Sequence, residues 1–187
     1  MMKNYIFFGL LATFLVGCLN NGMITAQNDT VVIDNTVHLK AVAKITAKNS
    51  SDVSGIVTFN EADGRVSMSA NITGLTPGKH AIHIHAIGDC SAADGSSAGG
   101  HWNPTNEKHG MRRTAPFHAG DIGNIVADSN GIGTINMETD LWCINCSDKT
   151  KNIIGNSIVI HEGSDDFVSQ PSGAAGDRIG CGKIIKQ

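Results

Sequence analysis

Segments in which apolar and polar residues alternate with period two, broken at short intervals by turn-forming residues, constrain this chain most. Val37 to Ala47, Val53 to Asn60 and Arg65 to Ile72 each alternate, and Asn49-Ser50-Ser51-Asp52 and Asp63-Gly64 separate them. Alternation sends successive side chains to opposite faces, the signature of a half-buried strand. The intervening Asn, Asp, Ser and Gly residues supply tight turns. The segments His80 to Ala86 (entered through Pro77-Gly78), Ile122 to Ala127, Gly131 to Met137, Ser157 to His161 and Gly182 to Ile185 complete a set of eight short strands. No amphipathic helix and no internal repeat interrupts them. The 22 glycines and the 5% aromatic content point the same way. The predicted architecture is all-β: an eight-stranded antiparallel Greek-key barrel or immunoglobulin-like sandwich with long functional loops.

Three connections are too long for simple turns. Gly88 to Gly120, Asp140 to Asn156 and Glu162 to Arg178 are rich in Gly, Ser, Asn and Asp. Long loops inside a compact domain are usually functional. Most of the eight histidines lie in or beside them. His83-Ile84-His85 places two imidazoles on one face of a strand, while Ile82 and Ile84 face the core. Alone, that pair fits an exposed polar face as well as a metal grip. The first long loop adds His101, held in Gly99-Gly100-His101-Trp102-Asn103-Pro104, then His109, His118 and Asp121. Three imidazoles and a carboxylate suit a tetrahedral zinc ion. His161 ends the strand Ser157 to His161 and runs into an acidic loop. His80 has the opposite parity to His83 and His85 and reads as structural, bonding backbone. His38 reads as ordinary surface on the first strand. Arg112-Arg113 reads as a solvated surface pair.

The N-terminus reads as a processing signal rather than as fold. Residues 1–17 carry one Lys and an apolar run from Ile6 to Val16, too short to span a bilayer. The run ends Leu15-Val16-Gly17-Cys18 and resembles the bacterial lipobox, which implies a lipidated Cys18. Residues 18–35 then form a flexible tether and 36–187 the folded domain, on the periplasmic side of a bacterial cell envelope. Export permits disulfides among Cys90, Cys143, Cys146 and Cys181. For Cys143-Ile144-Asn145-Cys146 a local disulfide is the favoured reading, with a free pair or an auxiliary metal pair as alternatives. The net charge of -3 and pI near 6.2 give no basis for nucleic-acid binding.

Several ordered motifs together carry a family resemblance. Gly78-Lys79-His80-Ala81-Ile82-His83-Ile84-His85, Gly88-Asp89-Cys90, Gly99 to Pro104, Lys108-His109-Gly110, His118-Ala119-Gly120-Asp121-Ile122-Gly123-Asn124, Val159-Ile160-His161-Glu162 and Arg178-Ile179-Gly180-Cys181-Gly182 look like the copper/zinc superoxide dismutase pattern. The resemblance runs from His38 to the C-terminus. It implies copper on His83, His85, His101 and His161, and zinc on His101, His109, His118 and Asp121. His101 then serves both metals through its two ring nitrogens. It further implies that Asp165 orients His83 and His109, that Arg178 attracts and orients the superoxide anion, and that Cys90 pairs with Cys181. The activity implied is disproportionation of superoxide to dioxygen and hydrogen peroxide. The competing reading is a non-catalytic copper- and zinc-binding envelope lipoprotein, which shares every ligand but has no use for Arg178. The segment Glu162 to Arg178 is shorter than the steering loop of animal cytosolic relatives, so that loop's charged guides are not carried over. A homodimer is left open, because dimer interfaces differ within this family.

Overall fold

The computed structural model describes residues 38–187. The readings of a signal peptide, a lipidated Cys18 and a tether lie outside these residues. Eight strands form: β1 (Leu39–Ala47), β2 (Ser54–Ala62), β3 (Arg65–Thr73), β4 (Gly78–His85), β5 (Asp121–Ala127), β6 (Gly133–Thr139), β7 (Ser157–His161) and β8 (Arg178–Lys186). All pairings are antiparallel, and the strands close in the order β1-β2-β3-β6-β5-β4-β7-β8. Closure decides between the predicted alternatives in favour of the barrel. The β3–β4 and β6–β7 connections pass between strands that are not neighbours, which makes the topology a Greek key. Among the described residues the only helical element is a single 3₁₀ turn, Ser96–Ala98.

The alternation seen in the sequence becomes burial. In β3, Val66, Met68, Ala70 and Ile72 point inward and are almost fully buried, while the residues between them are exposed. Ile45, Val57, Phe59, Ile82, Ile84, Ile125, Ile158, Ile160 and Ile184 fill the rest of the core. Most expected bounds move by a residue or two, and those of β1 and β8 change which residues the strands carry. β1 starts at Leu39, so His38 precedes it and is exposed. β8 starts at Arg178 rather than Gly182, because its first residues pair with the end of β7. Arg178 is therefore anchored on a strand and does not ride on a loop.

Strand β4 departs from alternation. Both of its faces are buried from His80 to His85. Ile82 and Ile84 lie in the core, and His83 and His85 lie on the outer wall beneath the long loops. Backbone bonds fasten the first loop to this strand: Ile84 donates to Gly120 O (2.9 Å), Trp102 to Ile84 O (2.8 Å) and Gly120 to Trp102 O (2.9 Å). Gly120 is required for that approach, since a Cβ there would lie 2.3 Å from Ile84 O. A disulfide joins Cys90 in the same loop to Cys181 on β8. Closing a loop of 91 residues stabilises by about 4–5 kcal/mol in the chain-entropy model. Cys143 and Cys146 form a second disulfide, the favoured of the three readings of that pair.

Candidate metal centre

Two groups of side chains converge on the outer wall of the barrel. His83, His85, His101 and His161 form one; His101, His109, His118 and Asp121 form the other. Within each group one ligand atom per residue lies within 4.8 Å of the others, and every member is buried or nearly so. His83 and His85 come from β4, Asp121 opens β5 and His161 closes β7. Register shifts fall at His83 in the β4–β5 pair and at His161 in the β7–β8 pair. Such irregularities re-aim side chains next to functional sites. His101 reaches β4 through an isolated bridge to His85.

Four of the six rings are oriented by a bond on the outer nitrogen. His83 Nε2–H donates to Asp165 Oδ2 (2.8 Å) and His109 Nε2–H to Asp165 Oδ1 (2.9 Å). His85 Nδ1–H donates to Gly99 O (2.8 Å) and His161 Nδ1–H to Gly176 O (3.2 Å). These bonds fix the tautomers of His83, His85 and His161 and leave their inner nitrogens as acceptors. The inner atoms of both groups crowd together. His85 Nε2 and His161 Nε2 lie 3.4 Å apart. Asp121 Oδ1 lies 2.8, 3.0 and 3.2 Å from Nδ1 of His101, His109 and His118. His101 Nδ1 and His118 Nδ1 are 3.3 Å apart. His83 Nδ1, His101 Nε2 and His109 Nδ1 are buried without a hydrogen-bond partner.

Donor atoms of this kind packed so closely need a cation among them, whether protons on the rings or a metal ion. Four N and O ligands around a tetrahedral zinc ion at 2.0–2.1 Å would stand about 3.3 Å apart. The spacings of 2.8–3.3 Å in this group lie at or somewhat below that figure, and the donor set of three imidazoles and a carboxylate fits a metal ion. The other group offers four imidazoles and suits a borderline-soft transition metal.

Burial holds most of the rings neutral, His118 included, and His109 is the exception. Burial lowers His83 to about 4, against the opposing pull of Asp165. Burial, helped by neighbouring His83, lowers His161 to about 3, and burial also lowers His85. These three rings are held neutral, the form that ligates metal. At His109 burial acts the same way, but Asp121 and Asp165 outweigh it and raise the ring to about 9. Burial also opposes ionisation of Asp121 and Asp165. Their bonds to the histidines prevail and hold both carboxyls well below the ordinary range.

A cleft of about 360 Å³ opens beside the centre, lined by His85, His101, His118, His161, Ser172 and Arg178 among others. Arg178 Nη1 donates to Gly95 O (2.8 Å), which fixes the guanidinium at the cleft wall. His80 bonds backbone as expected, facing His161 O (3.0 Å) and Thr76 O (2.8 Å). Arg112 does not match its reading as a solvated surface residue. It is half-buried, stacked 4.3 Å from the centre of the Trp142 ring, and bonded to the carbonyl of Asp121. Gly173 was not singled out in the sequence. With φ at +69°, it leaves space for Asp165, and a Cβ there would fall 2.0 Å from Asp165 Oδ1. No local pattern signals this, because the contact joins loop positions whose approach only the fold creates.

A closed Greek-key barrel with two four-ligand groups sharing one histidine defines a binuclear metalloprotein. The family model for copper/zinc superoxide dismutase matches residues 53–184. The chain belongs to the copper/zinc superoxide dismutase family. A solved structure of the clock protein EA4 is similar, with 34% sequence identity and a TM-score of 0.69. The match covers 78% of this chain and 92% of that chain.

Proposed function

We propose that the protein is an enzyme that dismutates superoxide, with copper on His83, His85, His101 and His161 and zinc on His101, His109, His118 and Asp121. The observation that carries this reading is Arg178, fixed at the wall of the cleft beside two groups that share His101, a charge that metal binding alone does not require. Bound copper supplies the one-electron couple: two superoxide anions and two protons become one dioxygen and one hydrogen peroxide. The chain's own residues do the rest. Arg178 offers a fixed positive charge at the cleft wall, which attracts and orients a small anion. His101 Nε2 lies buried and free of other partners, placed to hold and release a proton. Asp165 keeps His83 and His109 in register, so both groups respond to one carboxylate.

The competing reading is a metal-binding protein without catalysis, and the likeness to a protein named for a clock role keeps it in view. Superoxide loss catalysed by the purified, copper- and zinc-loaded protein separates the two. Turnover that disappears in His161→Ala and falls roughly tenfold or more in Arg178→Ala supports the enzyme. Full metal occupancy with no turnover above buffer sinks it.

The lipobox-like Leu15 to Cys18 supports a further reading, in which Cys18 carries the lipid and the domain sits in a bacterial cell envelope. In that case Cys18→Ser releases the protein from the membrane fraction. Retention of the variant there refutes the anchor.

A further inference from the structure

The turn from His118 to Asp121 carries two ligand atoms of the proposed zinc group, and its backbone carbonyls are gripped from behind. Trp142 Nε1–H donates to Ala119 O at 2.8 Å. Arg112 Nη1 donates to Asp121 O at 3.1 Å and reaches Ala119 O at 3.5 Å, while Nη2 donates to Thr139 Oγ1 at 2.9 Å. The guanidinium stacks on the Trp142 ring. Trp142 and Thr139 are almost completely buried. Trp142 is itself held on both sides: its ring meets Phe59 edge-on at 6.3 Å, and the next residue, Cys143, is fixed by its disulfide to Cys146 and by backbone bonds to Lys151 and Ile153.

We propose that Arg112 and Trp142 form a clamp that positions His118 and Asp121, and so sets zinc affinity, reaching the copper group only through the shared His101. The proposal rests on the metal assignment given above. Selectivity follows from connectivity. His83 is oriented by Asp165, His85 by Gly99 and His161 by Gly176, and none of these bonds passes through the clamp; only His101, whose Nδ1 meets Asp121 Oδ1 at 2.8 Å, connects it to the copper group. Arg112 and Trp142 are positioning residues, since they touch ligand backbone and not the reacting atoms. The guanidinium is suited to this task because its planar fork serves two carbonyls and a hydroxyl while lying flat on an indole, which an ammonium group cannot do.

The test is metal binding by the full protein and its Trp142→Phe, Arg112→Gln and Arg112→Lys variants. Trp142→Phe keeps an aromatic ring but removes the N–H and part of the bicycle, so its effect is read beside the melting temperature of the metal-free variant. Zinc affinity is read by chelator competition, the zinc-site geometry by the visible spectrum of cobalt(II) bound there, and copper affinity separately. Zinc affinity is expected to fall about 10–100-fold, with a shifted cobalt spectrum and a smaller loss of copper affinity, since His101 alone joins the two groups. Arg112→Lys is expected not to restore either zinc readout. Unchanged zinc affinity and cobalt spectrum in Trp142→Phe and Arg112→Gln overturn the clamp. Equal losses of zinc and copper affinity, tracking a lower melting temperature of the metal-free variants, overturn it as well and leave a purely structural role. If the cobalt spectrum of the otherwise wild-type protein is insensitive to His118→Ala, the metal assignment itself fails, and the clamp with it.

Discussion

Single atoms decide how firmly the centre is held. Asp165 divides its two oxygens between His83 and His109, so one carboxylate orients a ring in each group. Asp165→Asn keeps the shape but replaces one acceptor with a donor facing a ring N–H. Both metals are expected to bind about 10–100-fold more weakly, measured by competition with chelators. Gly173→Ala should reproduce that defect from a residue that is no ligand, because its Cβ would displace Asp165. The positive φ adds strain, and a loss of about 1–3 kcal/mol in unfolding free energy is expected. A glycine that matters only through a neighbour's oxygen cannot be recognised from its own position. The ligands could be recognised, since imidazoles and carboxylates in long polar loops have few other uses.

Elements differ in how they are fastened. The loop carrying His101 is locked to β4 by backbone bonds and to β8 by Cys90–Cys181, and Lys48 Nζ donates to Cys90 O at 2.5 Å. Replacing both cysteines of that pair by Ser should cost about 2–5 kcal/mol in denaturant unfolding. It should also loosen the cleft, because Gly95, which holds Arg178, rides on the same loop. The Cys143–Cys146 disulfide spans only three positions. Its loss should cost about 2 kcal/mol on the same chain-entropy reasoning. A larger loss from the short pair than from the long one would contradict this account. Strand identity was legible from alternation. The bounds of β8 were not, because Arg178 to Cys181 are held by pairing with β7, across a register shift that no local pattern encodes.

At the scale of the whole molecule, the metal-free protein should have a stability optimum near neutrality. His83 and His161, lowered to about 4 and about 3, bind protons in the unfolded chain before they do in the folded one. Their contribution is present above about 6.5, the ordinary imidazole value, and is lost as pH falls toward those lowered values. His109, raised to about 9, acts in the opposite sense: its contribution is present below about 6.5 and is lost as pH rises through about 9. Melting temperatures of chelator-treated protein across this range check both arms, and a flat profile would contradict them. The sequence by itself determined the strands and the ligand residue types, because side-chain periodicity and metal-donor chemistry are local properties. It also supplied the resemblance that named the site. Only the tertiary structure decided that the sheet closes into a barrel, since closure depends on pairing strands distant in sequence. The same holds for Arg112, expected in solvent and found against Trp142, because burial is conferred by what the fold brings alongside and not by the residue itself.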